Sequence, residues 1–197
     1  GDSLDEDAQG YLRRLQDAAN RMDRMIQDLL LLSRITTQAE TNQRVDLSRC
    51  VRDALADLEM RVESSGGQVV VEEPLPHLYA DPVQIRQLFL NLIGNALKFR
   101  HPDKSPQVVV SACEVGEGAD RQVEIRVSDN GIGFEEKYAE QIFQPFQRLH
   151  GRTQYEGNGM GLAICSKIAA RHGGKIEAHS TLGQGTTFIV TLPAIQG

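Results

Sequence analysis

Asn91, Asn95 and Lys98 stand four and three apart in "NLIGNALKF", residues 91 to 99, which places them on one face of a helix. Leu88, Leu92, Ile93 and Leu97 make the same run apolar enough for burial. Carboxamides inside such a run carry a desolvation cost unless something polar hydrogen-bonds or coordinates them. A second chemical group lies in "RQVEIRVSDNGIGF", where Val123, Ile125, Val127 and Asp129 share one face of a strand because side chains alternate with period two. The Asp129 carboxylate therefore points the way the core does and needs a donor; the exocyclic amine of a purine would serve. Asn130-Gly131 and Gly133 break the strand and allow backbone to approach a flat ligand closely, although Asn-Gly is also an ordinary hairpin dipeptide.

In "EGNGMGLAICSKIAARHGG", Gly157, Gly159 and Gly161 alternate where a helix begins, so bare amides and the helix dipole can face phosphate oxygens. The pattern is neither the GxGxxG of dinucleotide folds nor the GxxxxGK[ST] of a P-loop. Between Phe143 and Gly157, "QPFQRLHGRTQYE" has no period and is too long for a casual connection, which suggests a lid. Arg148, His150 and Arg152 give it phosphate-seeking charge, while solvated surface is the plainer account of each taken singly.

These groups must be positioned by a folded chain. Its 197 residues suit one domain of roughly 150 residues with an extra element, and 40% hydrophobic content supports a core. A net charge of -6 argues against a nucleic-acid partner. Cys50, Cys113 and Cys165 lack a CxxC pair and fit reduced thiols in a cytoplasmic setting, and the five histidines lack HExxH spacing. No segment approaches the roughly 20 apolar residues of a membrane span, and there is no signal peptide.

Ser3 and Glu6 resemble a capping box opening a helix that runs to about residue 35. Ala8, Leu12, Leu15, Ala19, Met22, Ile26, Leu29 and Ser33 form a heptad seam, widened by Tyr11, Ala18, Met25 and Leu32. Such a helix needs a partner: its own domain, or a bundle, which sustained heptads suit better. Residues 36 to 43, "TTQAETNQ", read as a linker. The pattern then predicts a helix over 47–62, strands over 68–72 and 78–80, and a helix opened by Asp81-Pro82 that carries the asparagines. Strands over 107–114 and 121–128, a helix over 160–172 stopped by Gly173-Gly174, and strands over 175–179 and 186–192 complete the chain.

The order of these pieces resembles the ATP-binding catalytic domain of sensor histidine kinases, in the superfamily that also holds DNA gyrase. "NLIGNALKF" looks like that family's N box, "DNGIG" its G1 box, "FQPF" its F box, "GNGMGL" its G2 box and "GQGTTF" its G3 box, in order across residues 87 to 188. Residues 4 to 35 look like the second helix of the family's dimerisation and phosphotransfer bundle, and "FQRLHGR" is similar to phytochrome-type kinases. The resemblance implies a two-layer α/β sandwich, helices on a mixed, mainly antiparallel sheet of Bergerat type, preceded by a long helix. It divides the chain into a bundle helix at 1–38, a linker at 39–44 and a catalytic domain at 45–194.

By the same resemblance Asn95 coordinates the magnesium ion bridging the ATP phosphates, Asn91 supports that end, and Lys98 contacts phosphate. Asp129 accepts the adenine amine, Gly131 and Gly133 shape its pocket, and Thr186 supports the base. Gly157, Gly159, Gly161 and Leu162 present backbone to phosphate. Phe143 and Phe146 read as packing the root of the lid rather than touching ligand, since aromatics usually serve as core. An amide carbonyl gives magnesium an oxygen without adding negative charge beside the triphosphate. In related ATPases a glutamate at the place of Asn91 activates water, whereas Asn91 cannot act as a base.

The family's acceptor histidine precedes an acidic residue. His77, His101, His150, His172 and His179 precede Leu78, Pro102, Gly151, Gly173 and Ser180, so no acceptor or general base is identifiable and the chain looks like a cut within a longer protein. The expected partners are an upstream helix carrying the acceptor, a response-regulator receiver domain and a second copy of the chain. A membrane tether on the full-length protein stays open, as does a regulatory nucleotide-binding module without kinase activity.

Overall fold

The computed structural model describes residues 2–37, 42–149 and 157–194. Helices α1 (Asp2–Thr37), α2 (Leu47–Ser65), α3 (Pro82–Lys98) and α4 (Gly161–Arg171) alternate with strands β1 (Gln43–Asp46), β2 (Gln68–Val71), β3 (His77–Ala80), β4 (Gln107–Val115), β5 (Gln122–Asp129), β6 (Lys175–Thr181) and β7 (Gly185–Pro193). Five strands make one sheet in the order β2-β4-β5-β7-β6, with β2 parallel to β4 and all other pairs antiparallel. β1 and β3 form a separate antiparallel pair. The expected helix-on-sheet sandwich is the architecture observed.

Alternation along the strands decides which face is covered. Val108, Val110, Val123, Ile125, Val127, Val190 and Leu192 are almost fully buried and meet Leu88, Phe89, Leu92 and Ile93 of α3 and Ile164 and Ile168 of α4. The buried positions of α3 recur at 85, 88, 89, 92, 93, 96 and 97, a stripe with helical period. Asn91, Asn95 and Lys98 border that stripe and are half-buried.

Local chemistry sets the helix ends. Asp81 caps α3: its Oδ1 accepts from the amides of Val83 at 2.9 Å and Gln84 at 3.3 Å, with Pro82 in the first turn. The Asp81 amide donates to Nε2 of buried His172 at 3.1 Å, tying this cap to the end of α4. Asp81→Ala is expected to cost about 1–2 kcal/mol, read as a lower urea midpoint at unchanged slope. An unmoved midpoint would mean the cap adds nothing. Gly66, at φ 63°, closes α2 in the left-handed conformation.

Two expectations need correction. Thr36 and Thr37 continue α1, and Gln43 already begins β1, so the polar stretch read as a linker over 36–43 is shorter at both ends. β1 escapes a hydrophobic pattern because Val45 is its only buried apolar residue. Phe146 does not pack at a root: it is 47% exposed at φ 63°, whereas Phe143 meets Phe188 edge-on with ring centroids 6.5 Å apart.

The two faces of α1 differ. On the heptad seam, Leu12, Leu15, Met22 and Ile26 keep 64%, 66%, 64% and 51% of their surface exposed. Ile35 is buried, Leu31 and Leu32 pack partly against the core, and Arg171 donates to the Ile35 carbonyl, so the end of α1 rests on α4. No helix among the described residues is long and apolar enough to cross a membrane.

Candidate functional site

A cavity of about 530 Å³ opens between α3, the end of β5, the start of β7 and the turn before α4. Of the residues singled out in the sequence, Asn91, Asn95, Lys98, Asp129, Gly133, Arg148, Gly157, Gly159, Gly161, Leu162 and Thr186 line it. Gly131 stands directly behind Asp129, and His150 and Arg152 lie outside the described residues, as does the later part of the expected lid.

The closed end is built by strand register. β5 and β7 pair so that Asp129 faces Thr186. Asp129 Oδ1 accepts from the Gly131 amide at 2.8 Å and the Thr186 amide at 3.3 Å. The Thr186 hydroxyl is 2.9 Å from that of Ser180, which donates to the Gly185 carbonyl at 2.9 Å. Both backbone bonds fall on Oδ1, so Oδ2 has no hydrogen-bond partner among the described residues. Burial pushes the Asp129 carboxyl up to about 6, and the two amide bonds offset only part of that. A desolvated carboxylate with an open oxygen in a cavity is a strong acceptor for a neutral N–H donor.

Glycine is required here by close approach. A Cβ on Gly131 would overlap the Phe99 carbonyl oxygen, and one on Gly133, at φ 57°, would overlap that of Thr181. Gly159, at φ 76°, would bring a Cβ within 2.6 Å of the Gln147 carbonyl. Gly161 differs: its φ is not positive and a Cβ would meet only Asn91 at ordinary distance, so its use lies in its carbonyl.

At the open end, Asn91 Nδ2 donates to that Gly161 carbonyl at 3.2 Å while its Oδ1 accepts from Gln87 Nε2 at 3.2 Å. Both ends of Asn91 are thus used in holding α3 to the start of α4. Asn95, one turn on, lines the cavity without a side-chain hydrogen bond among the described residues. The Lys98 amine sits against Gly157, 2.8 Å from where a Cβ would be, and Arg148 donates to the Gly157 carbonyl. Two cations therefore converge where the glycine segment enters α4.

These features fit an adenine nucleotide: an acceptor at the closed end and cations, amides and a carboxamide oxygen at the open one. They also fit magnesium, which keeps several waters and takes one or two protein oxygens beside substrate phosphates. Among the described residues no three His, Cys, Asp or Glu side chains converge, and Asn95 Oδ1 is a neutral protein oxygen lining the cavity without a hydrogen bond among them.

Arg24 and Asp28 of α1 also line the cavity, and neither is legible in the sequence as a site residue. The available signal was the run Asp28, Leu31 and Ile35, which shares a helix face turned away from the heptad seam.

A family model described as "Histidine kinase-, DNA gyrase B-, and HSP90-like ATPase" matches residues 80–196. Cyanobacterial phytochrome A of Nostoc sp. is 39% identical over 192 residues, covering 98% of this chain and 24% of that protein. The adaptive-response sensory kinase SasA of Synechococcus elongatus is 33% identical over 195 residues, covering 97% of this chain and 47% of its own length. The chain thus spans about a quarter of the first relative and about half of the second. Among solved structures, full-length ShkA in complex with AMPPNP superposes with a TM-score of 0.75 at 27% identity, over 94% of this chain and 38% of that one. The catalytic domain of histidine kinase ThkA, nucleotide free, gives 0.63 at 25% identity over 78% of this chain and 96% of that one. With residues of the N, G1, G2 and G3 boxes lining one cavity, the chain belongs to the histidine kinase, DNA gyrase B and HSP90-like ATPase family, and it is similar to the catalytic ATP-binding domains of sensor histidine kinases.

Proposed function

We propose that this chain binds Mg-ATP in the cavity and donates its γ-phosphoryl group to a histidine on a helix outside this sequence, from which it passes to an aspartate of a receiver domain. The observation that carries this reading is the pairing of the buried Asp129 acceptor at one end of the cavity with Asn95, Lys98 and Arg148 at the other. Asp129 Oδ2 takes the adenine amine, with Gly131 and Gly133 letting backbone meet the ring. Thr186 acts through its amide on Asp129, so its support for the base is indirect. Lys98 and Arg148 attract phosphate oxygens, Asn91 fixes the glycine segment, and Leu162 with Gly157, Gly159 and Gly161 forms the wall beside them. Asn95 Oδ1 holds the magnesium ion, which when bound neutralises charge on the phosphates.

In the transfer, the bond from the γ-phosphorus to the bridging oxygen breaks as a bond to the acceptor imidazole nitrogen forms, and ADP leaves. Asn91 has no basic atom to activate water, which favours retention of ATP until that histidine arrives. None of the described histidines lines the cavity, which supports an acceptor supplied from elsewhere. The exposed seam of α1 supports pairing with bundle helices and with a second copy. A cytoplasmic setting follows from this role, since ATP and receiver domains are met there.

The test supplies a bundle helix bearing an acceptor histidine to the chain with labelled ATP. Acid-labile phosphate is expected on the added helix and none on the chain itself. ATP binding without transfer would point instead to a regulatory nucleotide module. Asn95→Asp is expected to weaken ATP binding and shift its magnesium dependence, because a carboxylate adds charge beside the triphosphate. Identical magnesium titrations would remove Asn95 from the metal site.

A further inference from the structure

We infer that α1 forms part of the nucleotide site: Arg24 faces the cavity as a cation for the polyphosphate, and Asp28, bonded to Asn158, fastens the glycine segment to α1. The inference rests on the reading above that the cavity takes ATP. Arg24 and Asp28 are one turn apart on α1 and both line the cavity, and Asp28 bonds Asn158, next to the Gly157 that meets Lys98 and Arg148. Asp28 Oδ2 accepts from Asn158 Nδ2 at 2.5 Å across 130 residues of sequence. At its other end Asn158 Oδ1 accepts from the Met160 amide at 3.2 Å, in the turn that opens α4. One side chain thus bridges α1 to the segment that would meet phosphate.

The chemistry suits these assignments. A guanidinium is weakly hydrated and its planar fork matches phosphate oxygens, so an arginine on this wall favours a polyphosphate over a bare nucleoside. A carboxylate beside a polyphosphate is repulsive unless engaged, and the Asn158 amide engages Asp28. The rest of this face of α1 is anchored by Ile35 and by the bond from Arg171, so the helix is held where Arg24 can act. Because binding free energies are reciprocal, a nucleotide that gains from Arg24 tightens the seating of α1, and displacement of α1 loosens the nucleotide.

Calorimetry on the full chain with ATP and with AMP tests the inference. Arg24→Gln is expected to weaken ATP about tenfold and leave AMP within about twofold. Asn158→Asp sets two carboxylates together and should weaken ATP as well; adding Asp28→Asn exchanges the bonding partners and should restore it. A change within about twofold for ATP in Arg24→Gln, or an equal loss for ATP and AMP, overturns the inference, as does an exchanged pair no better than Asn158→Asp alone. A parent chain that binds no ATP removes the reading beneath it; a parent that binds ATP with unmoved variants overturns this inference alone.

Discussion

Asp129→Asn is expected to make the ligand-free protein more stable at pH 7 while weakening ATP binding roughly tenfold to a hundredfold. The two effects share one cause. Burial raises the carboxyl from 3.8 to about 6, so the folded state holds its proton more tightly than the unfolded chain. Stability from this group is therefore fully present below about pH 4 and is lost as pH rises through about 6, by about 3 kcal/mol in all. Asparagine keeps an oxygen for the Gly131 and Thr186 amides and has no charge to desolvate. Its amide also presents a donor where the nucleotide needs an acceptor. The stability difference between variant and parent should grow between pH 4 and 7 and level off above that. A difference that stayed constant over this range would show that the ionised carboxylate is not destabilising the fold, and unchanged ATP affinity would take Asp129 out of the base pocket.

Gly185→Ala is expected to destabilise the protein by about 3 kcal/mol or more and to abolish nucleotide binding where it folds. Gly185 has φ 118°, a Cβ there would overlap the Asp129 carbonyl oxygen, and the Asn130 Cα would be 3.0 Å away. Relief requires β7 to withdraw from β5 at the one register position that sets Asp129 beside Thr186. Gly183→Ala is the comparison: at φ 78° it meets nothing within 4 Å, so it isolates the backbone cost, about 1 kcal/mol. Equal urea midpoints for the two variants would mean that contact with β5 does not govern this turn.

Much of the scaffold is legible along the chain because its causes are local. Asp81-Pro82 opens α3 through a side-chain cap and a ring-fixed φ, both encoded within four residues. The strands of the large sheet announce themselves by alternation, since one face meets helices and the other does not. β1 was invisible because its stability comes from pairing with β3, 31 to 37 residues away, and only Val45 enters the core. Phe146 misled for the opposite reason: an aromatic is usually core, but here the backbone takes a left-handed turn that aims the ring outward.

The site divides in the same way. Residue type and short spacing alone determined that Asn91, Asn95 and Lys98 share a helix face, that Asp129 points with the core residues of its strand, and that three alternating glycines lead into the start of α4, because these follow from helix and strand periods and from residue order. Tertiary structure alone decided that Asp129 meets the Thr186 amide, that Asn91 grips Gly161, and that Asp28 of α1 reaches Asn158. Those contacts join residues 57, 70 and 130 positions apart. No local period encodes them; strand register and the packing of α1 and α3 against α4 bring them within hydrogen-bond distance.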